Sequence, residues 1–188
     1  LASLKRMLGD ALPADRLQYL AEKNALPEYF LQIPLQLATI PAVVSETAAP
    51  KKFVAGGTDL YVQQGLHLPD EDVALLSQRK ELKGVAQKEG FIEVGGLTTF
   101  EAFGRDPIIC GLIPKMPEYL ILMASWAIRN RATLSGNLVN ASPIGDMTSL
   151  LLALDPTIVL QSPNGEREIA LREFYLDYKV MDRTRDEI

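Results

Sequence analysis

The chain has 188 residues, 47% hydrophobic and 23% charged, enough to bury a sizeable core in one or two compact units. Its 24 acidic and 19 basic residues leave a net charge of -5 with no long Lys/Arg run, which argues against nucleic acid or an acidic membrane surface as a partner. The single cysteine, Cys110, provides neither an internal disulfide nor a cluster for zinc or iron–sulfur, and no apolar run nears the roughly 20 residues that span a bilayer.

The start Leu1-Ala2-Ser3-Leu4-Lys5 lacks a signal-peptide layout, so a cytoplasmic location is expected. An opening without Met and an end at Asp186-Glu187-Ile188 without a turn or cap read as a fragment that continues at either end. Apolar residues at helical spacing from Leu1 to about Asn24, interrupted by Pro13, predict two short helices. The proline-bearing stretch from Leu26 to Pro34 predicts an extended linker, giving a helical and extended segment over 1–34.

A helix is expected over 35–44, a strand over 52–55, the Gly56-Gly57 break, and a helix over 59–64. A strand follows at 72–76, then a hairpin pairing 82–87 with 91–94, then a short helix at 100–103 capped by a threonine. Leu120, Ile121, Met123, Ala124 and Ala127 predict one longer helix over 117–127, with glycine- and asparagine-bearing backbone after it. A buried helix at 147–154 and a hairpin of 157–161 with 167–170 around Pro163-Asn164-Gly165 complete the series.

In Lys52-Phe53-Val54-Ala55-Gly56-Gly57-Thr58-Asp59-Leu60, two glycines between a strand and a helix start let successive backbone N–H groups converge on one anion, most naturally a phosphate. The residues match neither GxGxxG nor GxxxxGK(S/T), so no Rossmann site or P-loop is supported. A tight turn capped by Thr58 or Asp59 is the plain alternative.

A second motif runs from Ile128 to Asp146. In it Gly136 leaves room for a flat ring or a diphosphate, Thr133, Asn137 and Asn140 offer hydrogen-bond donors, and Asp146 stands at a helix entrance. Taken with the first motif, Thr133-Leu134-Ser135-Gly136-Asn137 and Ala141-Ser142-Pro143-Ile144-Gly145-Asp146 resemble the FAD-binding subunits of the molybdenum hydroxylases, which include xanthine dehydrogenase and the medium subunit of carbon monoxide dehydrogenase. The xanthine dehydrogenase branch is the one favoured.

The resemblance covers about residues 35–188 and implies an α+β, PCMH-type flavin fold. Its small α/β subdomain would span about 35–90 and a mostly antiparallel second subdomain about 91–188, with the family's C-terminal flavoprotein domain missing. It implies noncovalent FAD, with the backbone of Lys52, Phe53, Val54, Ala55, Gly56, Gly57, Thr58 and Leu60 around the diphosphate. Ala132, Thr133, Gly136, Asn137 and Asn140 would touch the flavin side, Asp146 the polyol or a sugar, and Ile158 the ring system.

What the resemblance implies for function is electron transfer in an oxidoreductase. Reducing equivalents from a molybdopterin subunit would arrive through 2Fe–2S clusters on a partner chain or missing segment, and FAD would pass them to NAD+ or another acceptor. A flavin-free structural or interaction domain and a stand-alone flavin oxidoreductase are the alternatives. His67 reads as a solvated loop residue, Cys110 as a small buried one, and Met123 and Trp126 as core or ring contacts, while Arg129 and Arg131 read either as charges for a phosphate or an acidic partner or as an ordinary exposed loop, with no role assigned.

Overall fold

The computed structural model describes residues 14–41 and 52–188, and the chain divides into two compact units, Leu1–Ala42 and Val43–Ile188. The first of the two helices expected before Asn24, and the end of the helix expected over 35–44, lie outside the described residues. In the first unit, helix α1 (Arg16–Glu22) starts at Asp15, whose carboxylate accepts from the Gln18 N–H. The stretch expected to be extended is helical instead, a 3-10 turn at Glu28–Gln32 running into α2 (Ile33–Thr39). Both prolines explain this: Pro27 precedes the turn, and Pro34 sits in the first turn of α2, where its missing N–H costs nothing.

The second unit opens with β1 (Lys52–Val54), which pairs in parallel with β2 (Val73–Leu75) through a crossover that carries α3 (Leu60–Gln64). β3 (Val85–Gln87) and β4 (Ile92–Val94) form the expected antiparallel hairpin. Next comes α4 (Phe100–Arg105), capped by Thr99, whose hydroxyl oxygen accepts from the Ala102 N–H. A further helix, α5 (Pro107–Leu112), goes unread in the sequence although its start is marked: the Asp106 carboxylate accepts from the N–H groups of Ile108 and Ile109, and Pro107 occupies the first turn.

The single helix expected over 117–127 is broken into α6 (Met116–Leu120) and α7 (Trp126–Arg129), with Ala124 left-handed at φ 42° between them. The cause is Arg129, which is buried. Its guanidinium donates to the carbonyls of Met123 and Ala124 at 3.0 and 2.9 Å and pairs with Glu101 at 2.7 Å. Those carbonyls therefore face the arginine, and Ser125 opens α7 by accepting from the Ile128 N–H.

The glycine- and asparagine-bearing stretch is itself helical: α8 (Leu134–Asn140) ends at left-handed Ala141, and α9 (Asp146–Leu154) follows. The hairpin β5 (Thr157–Ser162) with β6 (Gly165–Ala170) lies where expected, and α10 (Leu171–Phe174) leads to a last antiparallel pair, β7 (Tyr175–Asp177) with β8 (Val180–Met181). The antiparallel part thus consists of separate two-stranded pairs. Two apolar clusters hold the unit, one around Phe103, Met116, Leu120 and Met147, the other around Leu138, Leu160, Leu171 and Phe174.

Candidate functional site

The two glycine-bearing motifs meet. Gly56 lies flat on the backbone of the second motif, where a Cβ would stand 1.9 Å from the Arg131 carbonyl oxygen and 3.2 Å from the Ala132 Cα. The Arg131 guanidinium donates to the Gly56 carbonyl at 3.4 Å, and a Cβ on Gly136 would lie 4.0 Å from that of Ala55. Beneath the second motif runs 96–99, whose carbonyls hold it in place: Ser135 donates its N–H to Gly96 at 2.8 Å and Leu134 to Thr98 at 3.1 Å. Phe100 returns its N–H to the Ala132 carbonyl at 3.0 Å.

A cleft of about 110 Å³ opens where the motifs join, lined by Ala55 and Gly56, by Asn130, Arg131 and Thr133, and by Ser77, Lys83, Leu97 and Thr99. That volume suits part of a ligand, well below the roughly 300–1,000 Å³ of pockets that enclose a whole one. Among the described residues the N–H groups of Gly56, Gly57 and Thr58 donate to no protein acceptor. Gly57 takes φ +73°, and α3 begins at Asp59 without any side-chain cap; the Asp59 carboxylate accepts from Gln63 instead. The plain reading of the turn, a capping Thr58 or Asp59, is therefore not realised.

The sequence-derived residues divide into two sets. Ala55, Gly56 and Thr133 line the cleft, and Gly57, Thr58, Ala132 and Gly136 adjoin those residues in the chain or across the contact. Thr133 caps α8, its hydroxyl oxygen accepting from the Gly136 N–H at 3.2 Å, which leaves the hydroxyl proton available. Lys52 does not line the cleft, and its ammonium pairs with Glu71 at 2.7 Å and bonds Gln64. Phe53 and Leu60 are half-buried and Val54 is buried in β1.

Asn137, Asn140, Asp146 and Ile158 do not line the cleft. The Asn137 side-chain oxygen accepts from both the N–H and the hydroxyl of Thr148 at 2.9 Å, tying α8 to α9. Asn140 is the last residue of α8, and Asp146 is exposed in the first turn of α9, where the helix dipole favours a carboxylate. Ile158 packs beside Leu160 against the second apolar cluster.

Several single-residue readings change. Arg129 belongs to no exposed loop: it is 6% exposed and its pairing, with that of Arg105, holds the Glu101 carboxyl below the usual carboxylate range. Met123 is core, whereas Trp126 is 66% exposed and not packed there. His67 is exposed and Cys110 half-buried, its thiol 3.5 Å from the Gly104 carbonyl. Ser77, in a 3-10 turn after β2, and Lys83 and Thr99, in connections between elements, were missed because all three are far in sequence from either motif; only the fold brings them to the cleft.

Comparison with known proteins shows the family. Residues 28–188 match the model of the FAD binding domain in molybdopterin dehydrogenase. The chain is 33% identical over 127 residues to the nicotinate dehydrogenase FAD-subunit of Eubacterium barkeri, covering 67% of this chain and 43% of that one. It is 30% identical over 141 residues to a putative xanthine dehydrogenase FAD-binding subunit of Escherichia coli strain K12, covering 73% and 48%. In structure it resembles carbon monoxide dehydrogenase from Hydrogenophaga pseudoflava, with a TM-score of 0.67 and 22% identity over 82% of this chain and 52% of that one, a likeness of fold. The chain spans about half the length of the curated relatives it matches. On the breadth of that match, and with both glycine motifs meeting at one cleft, the chain belongs to the family of FAD binding domains of molybdopterin dehydrogenases.

Proposed function

We propose that this chain binds FAD noncovalently at the cleft and serves as the electron-transfer domain of a cytoplasmic molybdenum hydroxylase. The observation that carries the reading is the junction of the two motifs, where a cleft lined by Gly56 and Thr133 opens beside a turn whose Gly56, Gly57 and Thr58 N–H groups donate to no protein acceptor. These groups hold and orient a diphosphate, and the bare Gly56 surface lets the backbone approach it closely. When bound, FAD exchanges one-electron and two-electron traffic; the protein supplies binding and orientation, so no acid–base pair is needed.

In the assembly, an iron–sulfur domain and a molybdopterin subunit deliver the electrons, and NAD+ or another acceptor receives them. Comparable likeness to nicotinate and xanthine dehydrogenase subunits gives no preference for the xanthine branch, and the hydroxylated substrate belongs to the partner subunit. The test is a titration of FAD into the purified chain, followed by flavin fluorescence and absorbance beside a melting curve. Saturable binding at one FAD per chain is expected. A folded chain that ignores FAD would favour the flavin-free interaction domain, and NAD+ reduction by the assembled complex tests the choice of acceptor.

A further inference from the structure

The cleft carries two cations that the glycine-turn reading leaves unused. Lys83 and Arg131 both line it, both are exposed, and no carboxylate lines it with them. Among the described residues neither takes part in an ion pair, although the chain carries 24 acidic groups. Each is steered by one backbone carbonyl: Lys83 donates to Ser77 at 2.6 Å and Arg131 to Gly56 at a long 3.4 Å. Most of their donors remain free, since an ammonium has three N–H groups and a guanidinium five.

The hydroxyls point to the same chemistry. The oxygens of Thr99 and Thr133 each accept a backbone N–H, from Ala102 and Gly136, and each keeps its proton to donate. Two cations, two hydroxyl donors and no acid describe a receptor for a multiply charged anion.

We propose that Lys83 and Arg131 clamp the diphosphate of a dinucleotide from the cleft side, adding charge neutralisation to the backbone donors of the glycine turn. This rests on the flavin reading above. Lys83 enters from the connection before β3 and Arg131 from the end of α7, so the clamp joins segments that no linear motif links. Exposed cations are screened by salt, so their share of the affinity must fall as ionic strength rises.

The experiment measures dissociation constants of FAD and of riboflavin, which lacks phosphate, for the wild-type chain, Lys83→Met, Arg131→Met and the double variant at low and high KCl. Each single variant should weaken FAD about 3- to 10-fold and the double about 10- to 50-fold at low salt, with a flattened salt dependence. Riboflavin affinity should stay within about twofold and the melting temperature of the apoprotein unchanged. Wild-type binding of FAD with unaltered affinity and salt dependence in the folded double variant would overturn the clamp alone, as would equal affinity for FAD and riboflavin in the wild type. A folded wild-type chain that binds neither overturns the flavin reading and the clamp with it.

Discussion

Gly56→Ala is the sharpest perturbation the structure offers. The new Cβ would stand 1.9 Å from the Arg131 carbonyl oxygen and 2.8 Å from its carbonyl carbon, and both are backbone atoms that no rotamer can move aside. Carbon atoms of this kind essentially never approach closer than 3.0 Å, so the two motifs must separate by at least 1.1 Å, the difference between 3.0 and 1.9 Å. Overpacking of this size costs about 1–3 kcal/mol, out of roughly 5–15 kcal/mol for a typical domain, and lowers the melting temperature by about 2–4 °C per kcal/mol.

The same shift takes donors on either side of the cleft out of the roughly 2.7–3.2 Å hydrogen-bonding range, so FAD affinity should fall about tenfold or more. Gly57→Ala is the informative contrast. Its Cβ meets the Tyr61 ring at 2.6 and 2.7 Å, but that side chain is 54% exposed and can swing away. What remains is the strain of an L-residue at φ +73°, about 1–2 kcal/mol, and adding Tyr61→Ala should recover any excess beyond it. Thermal melts and FAD titrations on the same preparations decide the matter. A Gly56→Ala chain with wild-type melting temperature and affinity, or one less impaired in FAD binding than Gly57→Ala, would refute the contact between the motifs.

Four further outcomes follow from the same structure. Asn137→Ala should lower the apoprotein melting temperature by removing about 1–2 kcal/mol of bonding to Thr148, whereas Asn137→Asp keeps the acceptor and the melting temperature; a fall in FAD affinity in the Asp variant would then mark a direct role for the amide. Arg129→Met should cost about 1–3 kcal/mol, seen by chemical denaturation, because it removes one of the two arginines paired with half-buried Glu101 and leaves the carbonyls of Met123 and Ala124 without that donor. The carboxyls of Glu101 and Glu187 both titrate below their ordinary 4.5 in the folded chain, Glu101 held down by Arg129 and then Arg105, Glu187 pushed to about 2 by Arg167. A lowered carboxyl contributes stability that is present above the unfolded value and lost as pH falls through the folded one, so melting temperature should drop from about pH 4.5 toward 2, less steeply in Glu187→Gln. Acid precipitation of the flavin-loaded chain should release all yellow colour into the supernatant; colour kept in the pellet would show a covalent link.

Elements set by local chemistry were legible in the sequence. The strand, glycine break and helix at 52–64, the two hairpins and the Thr99 cap all depend on residues within a few positions of each other, and all appear. The failures have tertiary causes. A continuous helix over 117–127 satisfies the apolar pattern, yet Glu101, far away in sequence, draws in Arg129, which claims the carbonyls of Met123 and Ala124 and forces Ala124 to φ 42°. No window on the sequence contains both partners. The prolines at 27 and 34 misled for the opposite reason, since proline breaks a helix from inside but starts one from its first turn.

The second motif shows why a site read from residue types needs the fold to sort it. Thr133, Gly136 and Asn137 look like a row of ligand donors, and spacings of three and four keep them on one side of the helix, but the start of that side meets the cleft and Asn137, one turn on, meets α9. Thr133 therefore lines the cleft while capping its own helix, and Asn137 turns to Thr148 and ties α8 to α9. Gly136 is kept small by the Thr133 hydroxyl, 2.8 Å from where its Cβ would be, whereas Ala55 at 4.0 Å would be in ordinary contact. Since the residues that shape the cleft also hold the fold, loss of FAD binding in a variant says nothing about contact unless apoprotein stability is measured beside it. Lys83 and Arg131 are the exceptions, exposed and free of ion pairs among the described residues, and for that reason they report on the ligand more cleanly than the glycine motifs themselves.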